Sequence, residues 1–287
     1  MIIVTDSAAD LTAEQMRELN IHAMPMALTL DGRTYRSGVD LSSAEFYSLL
    51  RRTEDFPTTS QPSAGEFAEL YRRVAAIDPE IFSIHVAGGL SGTLASAQAG
   101  AQLVPEARVT FYDTKTLSCP EGWLVQAAAF ALRKGWSMPR ILERLDLMQQ
   151  RTQGVFTLNT LKYLIHGGRI SHMKGLLASM LNVKPIIGPD KETGKYMTFG
   201  QDVTWKRVIN RIPEIIAKVI PGCEQMRVQL LHGENMEGVE MLREAMVKRF
   251  TCQFDPVAVI APVLGAHTGH TIVGLAAGDP QVFEGLF

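Results

Sequence analysis

Cysteines, aromatic rings, long apolar runs and an excess of either charge are all scarce in this sequence, and each shortage removes a class of protein. Among 287 residues there are three cysteines, Cys119, Cys223 and Cys252, far apart and in no C-x-x-C or other metal-ligand spacing. Such a set builds no disulfide framework and reads as small core residues kept reduced. Twenty-eight basic residues against 30 acidic ones leave a net charge of -2. With no basic run longer than a pair, nothing gathers phosphate backbones, and nucleic acid is not an expected partner. The most apolar segment, Trp123 to Leu132, is interrupted by Gln126 and stops at Arg133, well short of the ~20 apolar residues that a membrane helix needs. The opening Met1–Asp6 lacks a basic stretch and a signal-peptide core, so the expectation is a cytoplasmic protein without stable membrane insertion.

What is present is an ordinary globular composition, 46% apolar and 20% charged, at a length where one core usually gives way to two. The first half alternates short apolar runs with helical patterns, the signature of a parallel sheet with helices on both faces, a Rossmann-like α/β arrangement. Ile2–Thr5, Ile81–Val86 and Val109–Tyr112 read as strands, and Met24–Leu30 as one extended segment. Thr12 with Gln15, Ser42 with Glu45, and Ser63 with Glu66 are capping boxes that open three helices. From Gly154 the texture changes: Val155–Leu158, Lys184–Ile187 and Lys195–Phe199 around a Pro189–Gly194 turn suggest a second α/β domain with a mixed sheet. Long helices at Thr204–Val219 and Met236–Arg249 follow, with strands at Val228–His232, Val257–Ile260 and Thr271–Ala276. The expected domains are 1–153 and 154–287, with a ligand between them.

Three hydroxyl-rich loops lie between elements of the first half: Thr5-Asp6-Ser7, Thr58 to Ser63, and Gly88-Gly89-Leu90-Ser91-Gly92-Thr93. Loops beyond the carboxyl ends of parallel strands, leading into helices, suit an anion. In the third, glycines would let backbone approach a carboxylate while Ser91 and Thr93 donate hydroxyls; the same two residues also suit a plain helix cap. His267, in Gly265-Ala-His-Thr-Gly269-His270, could donate to a carboxylate, act as acid or base, or be satisfied by backbone. Arg169 follows Gly167-Gly168, where it could turn inward to an anion or stand exposed at a helix end. Other motifs are excluded. Gly188 to Gly194-Lys195-Tyr196 has one residue too many for a phosphate loop and Tyr where Ser or Thr is needed. No G-x-S-x-G, G-x-G-x-x-G after the first strand, or H-E-x-x-H occurs. No cofactor and no metal are expected.

Taken in order, Thr5-Asp-Ser-Ala-Ala-Asp-Leu11, Thr59-Ser-Gln-Pro-Ser63, Leu90-Ser-Gly-Thr93, Gly168-Arg169-Ile170, Lys184-Pro185-Ile186 and the Gly265–Gly269 histidine segment resemble the DegV family along the whole chain. The resemblance implies a lipid-binding protein rather than an enzyme, holding one long-chain fatty acid in a tunnel. It further implies that Thr59, Ser91 and His267 contact the carboxylate, supported by Ser60, Gly92, Thr93 and Arg169. Members include acyl-binding subunits of a fatty acid kinase, so a separate kinase subunit is the implied partner, in phospholipid metabolism. Two departures stand out: Gly269-His270-Thr271 where the family often continues Gly-Pro-Gly, and Gln201 to Trp205 without the arginine that kinase-partnered members tend to carry there. The alternative function is an acyl hydrolase or transferase using Ser91 or Ser60 with His267 as base and a carboxylate such as Asp6 behind it.

Overall fold

A computed structural model describes residues 1–173 and 183–287. The first segment runs β1 (Ile2–Asp6), α1 (Ala13–Leu19), β2 (Ile21–Met24), β3 (Ala27–Leu30), β4 (Arg33–Arg36), α2 (Ser43–Leu50), β5 (Thr58–Ser60), α3 (Ala64–Ala75), β6 (Glu80–His85), α4 (Thr93–Ala101), β7 (Arg108–Asp113), α5 (Cys119–Arg133) and α6 (Met138–Arg151). The rest is β8 (Thr152–Thr157), α7 (Lys162–His166), β9 (Lys184–Pro189), β10 (Tyr196–Asp202), α8 (Trp205–Val219), β11 (Gln225–His232), α9 (Met236–Val247), β12 (Thr251–Phe254), β13 (Ala258–Val259), α10 (Pro262–Thr268), β14 (Val273–Gly278) and a closing 3-10 turn.

β2, β1, β6 and β7 form a four-stranded parallel sheet in that order. Strand alternation divides its side chains between two layers. Ile3, Phe82 and Ile84 pack in one layer with Trp123, Leu124 and Ala128 of α5. Ile2, Val4 and Ile81 pack in the other with Phe67, Tyr71 and Val74 of α3. All three expected capping boxes form, each with its hydroxyl accepting the backbone N–H three residues on.

The second sheet is mixed, as expected, in the order β10-β9-β8-β14-β11-β12 with β13 also on β11. β8, β14 and β11 are antiparallel neighbours, whereas β11 and β12 are parallel. Ile209, Ile212 and Ile216 of α8 and Val239, Leu242 and Met246 of α9 cover it in one core. Helix α5 joins the two sheets, packing against β1 on one side and β8 and β14 on the other. A helix in that position is apolar all round, and its alanines let both sheets come close.

The chain departs from expectation after β2. The single extended segment is two strands: β2 stays in the parallel sheet, while β3 crosses to a small antiparallel sheet with β4 and β5. Pro25 between them cannot donate to a ladder, so the sheet changes there. Thr251–Phe254 is also an unanticipated strand, held in place by β11.

Candidate functional site

The small antiparallel sheet matters because it carries Thr59. β5 pairs with β3 so that Thr59 faces Leu28, and alternation sends Thr58 and Ser60 to the exposed side. Thr59 Oγ1 lies 2.7 Å from His267 Nε2. The histidine segment is not a loop but the last turn of α10, begun by Pro262 and ended by Gly269 at φ 74°. Proline is pre-set for a first helical turn, and a positive φ lets the chain leave the last one. The Nδ1 edge of His267 packs against Gly167, where an added Cβ would come within 2.0 Å of Nδ1. Among the described residues Nδ1 is buried without a hydrogen-bond partner. Burial, aided by Arg169 and His166, pushes the imidazole pKa down to about 3, so the ring is neutral at physiological pH.

Ser91 stands on the loop before α4. Its Oγ lies 2.8 Å from Thr93 Oγ1 and accepts the Thr93 N–H at 3.3 Å. Ser91 therefore does help to cap α4, yet it also lines a cavity with Thr59, Arg169 and His267. Thr93 itself is fully buried and is not on the wall of that cavity. The loop glycines serve protein contacts: a Cβ at Gly89 would meet the Thr193 carbonyl at 2.3 Å, and one at Gly92 the Gln61 amide at 2.2 Å. Arg169 turns inward, Nη1 donating to the Gly167 carbonyl at 2.5 Å, and burial lowers its pKa.

Thr59, Ser91, Arg169 and His267 thus meet on the wall of one cavity, with Ala8 and Val86 also on its wall. A second cavity, walled mainly by Val155, Phe156, Leu231, Ile260, Ile272 and Leu275, with Ser118 and Thr268 also on its wall, adjoins it. Leu117, Tyr196 and Leu264 line both. The result is one polar head leading into an apolar interior, drawn from both segments of the chain. Ser60, Gly92 and Thr93 lie outside that wall. His270 does too; its carbonyl accepts the Glu234 N–H at 2.9 Å and its backbone crowds Gly233. The bridging residues Leu117, Tyr196 and Leu264 carry no sequence signal, because an apolar residue facing a cavity reads like any core residue.

Among the described residues no carboxylate bonds to His267. Asp6 instead accepts from His85, whose Nδ1 lies 3.0 Å away, and from the N–H groups of Ala8 and Val86 at 2.9 and 3.1 Å. Among the described residues no helix is long and apolar enough to cross a membrane, and no group of three His, Cys, Asp or Glu is placed to hold a metal.

The profile of the DegV family, described as uncharacterised protein, DegV family, matches residues 1–278. A DegV domain-containing protein of Staphylococcus aureus strain MRSA252 is 34% identical over 274 residues, covering 96% of this chain and 97% of its own. One from Listeria innocua is 31% identical over 276 residues, 95% of this chain and 96% of its own. Among solved structures, a DegV family protein from Thermus thermophilus, described for its fatty acid binding, superposes with a TM-score of 0.88 at 29% identity, covering 97% of this chain and 99% of the other. DegV of Bacillus subtilis, a fatty acid binding protein, gives 0.86 at 28% identity, with 97% and 98% covered. A stearic acid-binding protein of Eubacterium ventriosum gives 0.87 at 25%, with the same coverage.

Proposed function

The chain belongs to the DegV family, and from that premise we propose that it is a carrier that binds one long-chain fatty acid rather than a self-sufficient enzyme. The observation that carries the reading is the shape of the cavity, polar at the Thr59–Ser91–Arg169–His267 end and apolar beyond Leu117 and Tyr196. A buried carboxylate is tolerated only when hydrogen-bonded and paired. With neutral His267 donating Nε2–H to Thr59 Oγ1, the Thr59 hydroxyl hydrogen is free to point at an anion. Likewise, Thr93 donating to Ser91 Oγ leaves the Ser91 hydrogen free. Arg169 supplies the charge, and hydrogen bonds to an ionised group are about twice as strong as neutral ones. The acyl chain supplies affinity, at roughly 0.8 kcal/mol per buried CH₂.

The same geometry disfavours the hydrolase alternative. His267 Nε2 engages Thr59 rather than Ser91, and the carboxylate that would orient a catalytic imidazole serves His85 instead. Residues 1–153 and 154–287 form two domains in this reading, since each sheet takes its strands from one segment apart from the first residues of β8. The partner is a separate kinase subunit that phosphorylates the presented carboxylate for phospholipid metabolism in the cytoplasm. The segment that lacks the family's arginine is approached from α8, where Arg211 Nη1 donates to the Gln201 carbonyl at 2.5 Å and Arg207 pairs with Asp202 at 3.1 Å.

Native mass spectrometry of the purified protein, followed by release and identification of the small molecule, tests the reading. The expected result is one equivalent of a C14–C18 fatty acid in the wild type and little in a folded Thr59→Ala, Ser91→Ala double variant. Full occupancy in the double variant would sink the site assignment. A protein that stays empty after incubation with such acids would sink the carrier reading.

A further inference from the structure

Two residues with backbone angles that side chains rarely adopt meet at the start of α10. Asp10 has φ 49°, and Ser118 has φ 60° with ψ -144°. Such conformations cost free energy and persist only where the surroundings fix them, often beside functional sites. Here the two side chains fix each other, the Ser118 hydroxyl donating to Asp10 Oδ2. Asp10 Oδ1 accepts the N–H of Ala261, the residue that opens α10, at 2.7 Å. The Ser118 N–H donates to the Ala8 carbonyl at 2.7 Å, which ties the pair to the loop after β1. The next N–H of the helix, that of Val263, goes to Ser37 Oγ at 3.3 Å. Along the helix from Ala261 to His267 the axis rises only about 9 Å, and His267 meets Thr59 at its far end.

We propose that Asp10 and Ser118 are a positioning pair, which by fixing the first residue of α10 sets His267 against Thr59 and thereby governs fatty-acid affinity, Asp10 from outside the binding cavity and Ser118 from its apolar wall. The inference rests on the carboxylate reading of that cavity. Asp10 lines a separate groove, with His22 and Arg73. Toward the interior it faces Tyr47 of α2 and Cys119 and Glu121 of α5, and α10 adds no charged group at this end. Burial pushes the Asp10 carboxyl up to about 7, opposed by its hydrogen bonds with Ser118 and the Ala261 N–H. An acid whose folded pKa is raised subtracts stability as pH climbs from the unfolded value through the folded one. Asp10 in its ionised form is therefore a cost to the fold, and its charge-assisted bond to the Ala261 N–H is what that charge contributes.

Palmitate labelled at the carboxyl carbon, titrated into lipid-stripped protein by calorimetry and NMR between pH 6 and 8, tests this. Asp10→Ala is expected to bind at least tenfold more weakly than wild type and to move the His267 ring-nitrogen signals. Asp10→Asn keeps an acceptor for Ala261, and decides the matter if Asp10→Ala does not fold. It is expected to melt no lower than wild type at pH 8, to bind severalfold more weakly there, and to lose the weakening that wild type shows as pH falls through 7. His267, titrating near 3, does not contribute in that window. Wild-type affinity and pH profile in both folded Asp10 variants, with Thr59→Ala weakened, would overturn the positioning role alone. If Thr59→Ala also binds palmitate like wild type, the carboxylate site itself is wrong, and the inference falls with it.

Discussion

His85 and His267 are both buried histidines, one in each segment, and they are wired in opposite ways. His85 is fully enclosed, with Nε2 2.7 Å from Ser83 Oγ and Nδ1 3.0 Å from Asp6, while Tyr71 closes the chain on Ser83 at 2.8 Å. Every polar atom of the ring has its partner, and Asp6 spends its remaining capacity on the Ala8 and Val86 N–H groups. Among the described residues His267 has one partner, an orphaned nitrogen and a cavity against it. Ser83, His85 and Asp6 mimic the order of a catalytic triad, yet all three are buried and bonded to one another, whereas the incomplete site faces a cavity. Closed hydrogen bonding marks a structural histidine, and open valence beside empty space marks a binding one.

That comparison breaks most visibly on truncation. His85→Ala leaves Asp6 and Ser83 buried without their partner, so a loss of about 3–5 kcal/mol is expected in denaturant unfolding; His267→Ala is expected to cost less than half as much and to lose bound lipid instead. Equal costs in the two variants would erase the distinction. A smaller effect is expected at Gly167, whose Cα presses on the His267 ring. Gly167→Ala should lower fatty-acid occupancy severalfold, with a stability change of about 1–3 kcal/mol from overpacking. Unchanged occupancy there would mean that the ring position is not critical. The smallest effect is in pH dependence. Because the folded imidazole titrates near 3 and the unfolded one near 6.5, lipid-free protein should lose stability as pH falls below about 6.5. His267→Gln should lack that part of the acid sensitivity; identical acid unfolding curves would contradict a neutral His267.

Much of the framework was legible in the chain. The three capping boxes, the alternation of strand and helix before residue 150 and the change of texture after Gly154 rest on local chemistry, and each appears in the structure. The small antiparallel sheet was not legible, because β4 is mostly exposed and β5 spans three residues, too short for a periodic signal. Of the named site residues, Thr59, Ser91, Arg169 and His267 converge, whereas Ser60 is turned away by strand alternation and Gly92 and Thr93 are absorbed by packing. Sequence neighbourhood alone could not separate Thr59 from Ser60, since the pleat that divides them exists only once β5 is paired.

By itself the sequence determined most elements of the two larger sheets, β12 and the separation of β2 from β3 excepted, and the family to which the chain belongs, because caps, strand runs and motif spacing are properties of neighbouring residues. Only the tertiary structure decided which histidine is satisfied and which is open, and where the polar head of the cavity meets its apolar interior. Those outcomes depend on contacts such as Asp6 with His85, Thr59 with His267 and Gly167 against the edge of its ring. Such contacts join residues some 80 to 200 positions apart, at separations where local propensity is silent and packing alone selects the partner.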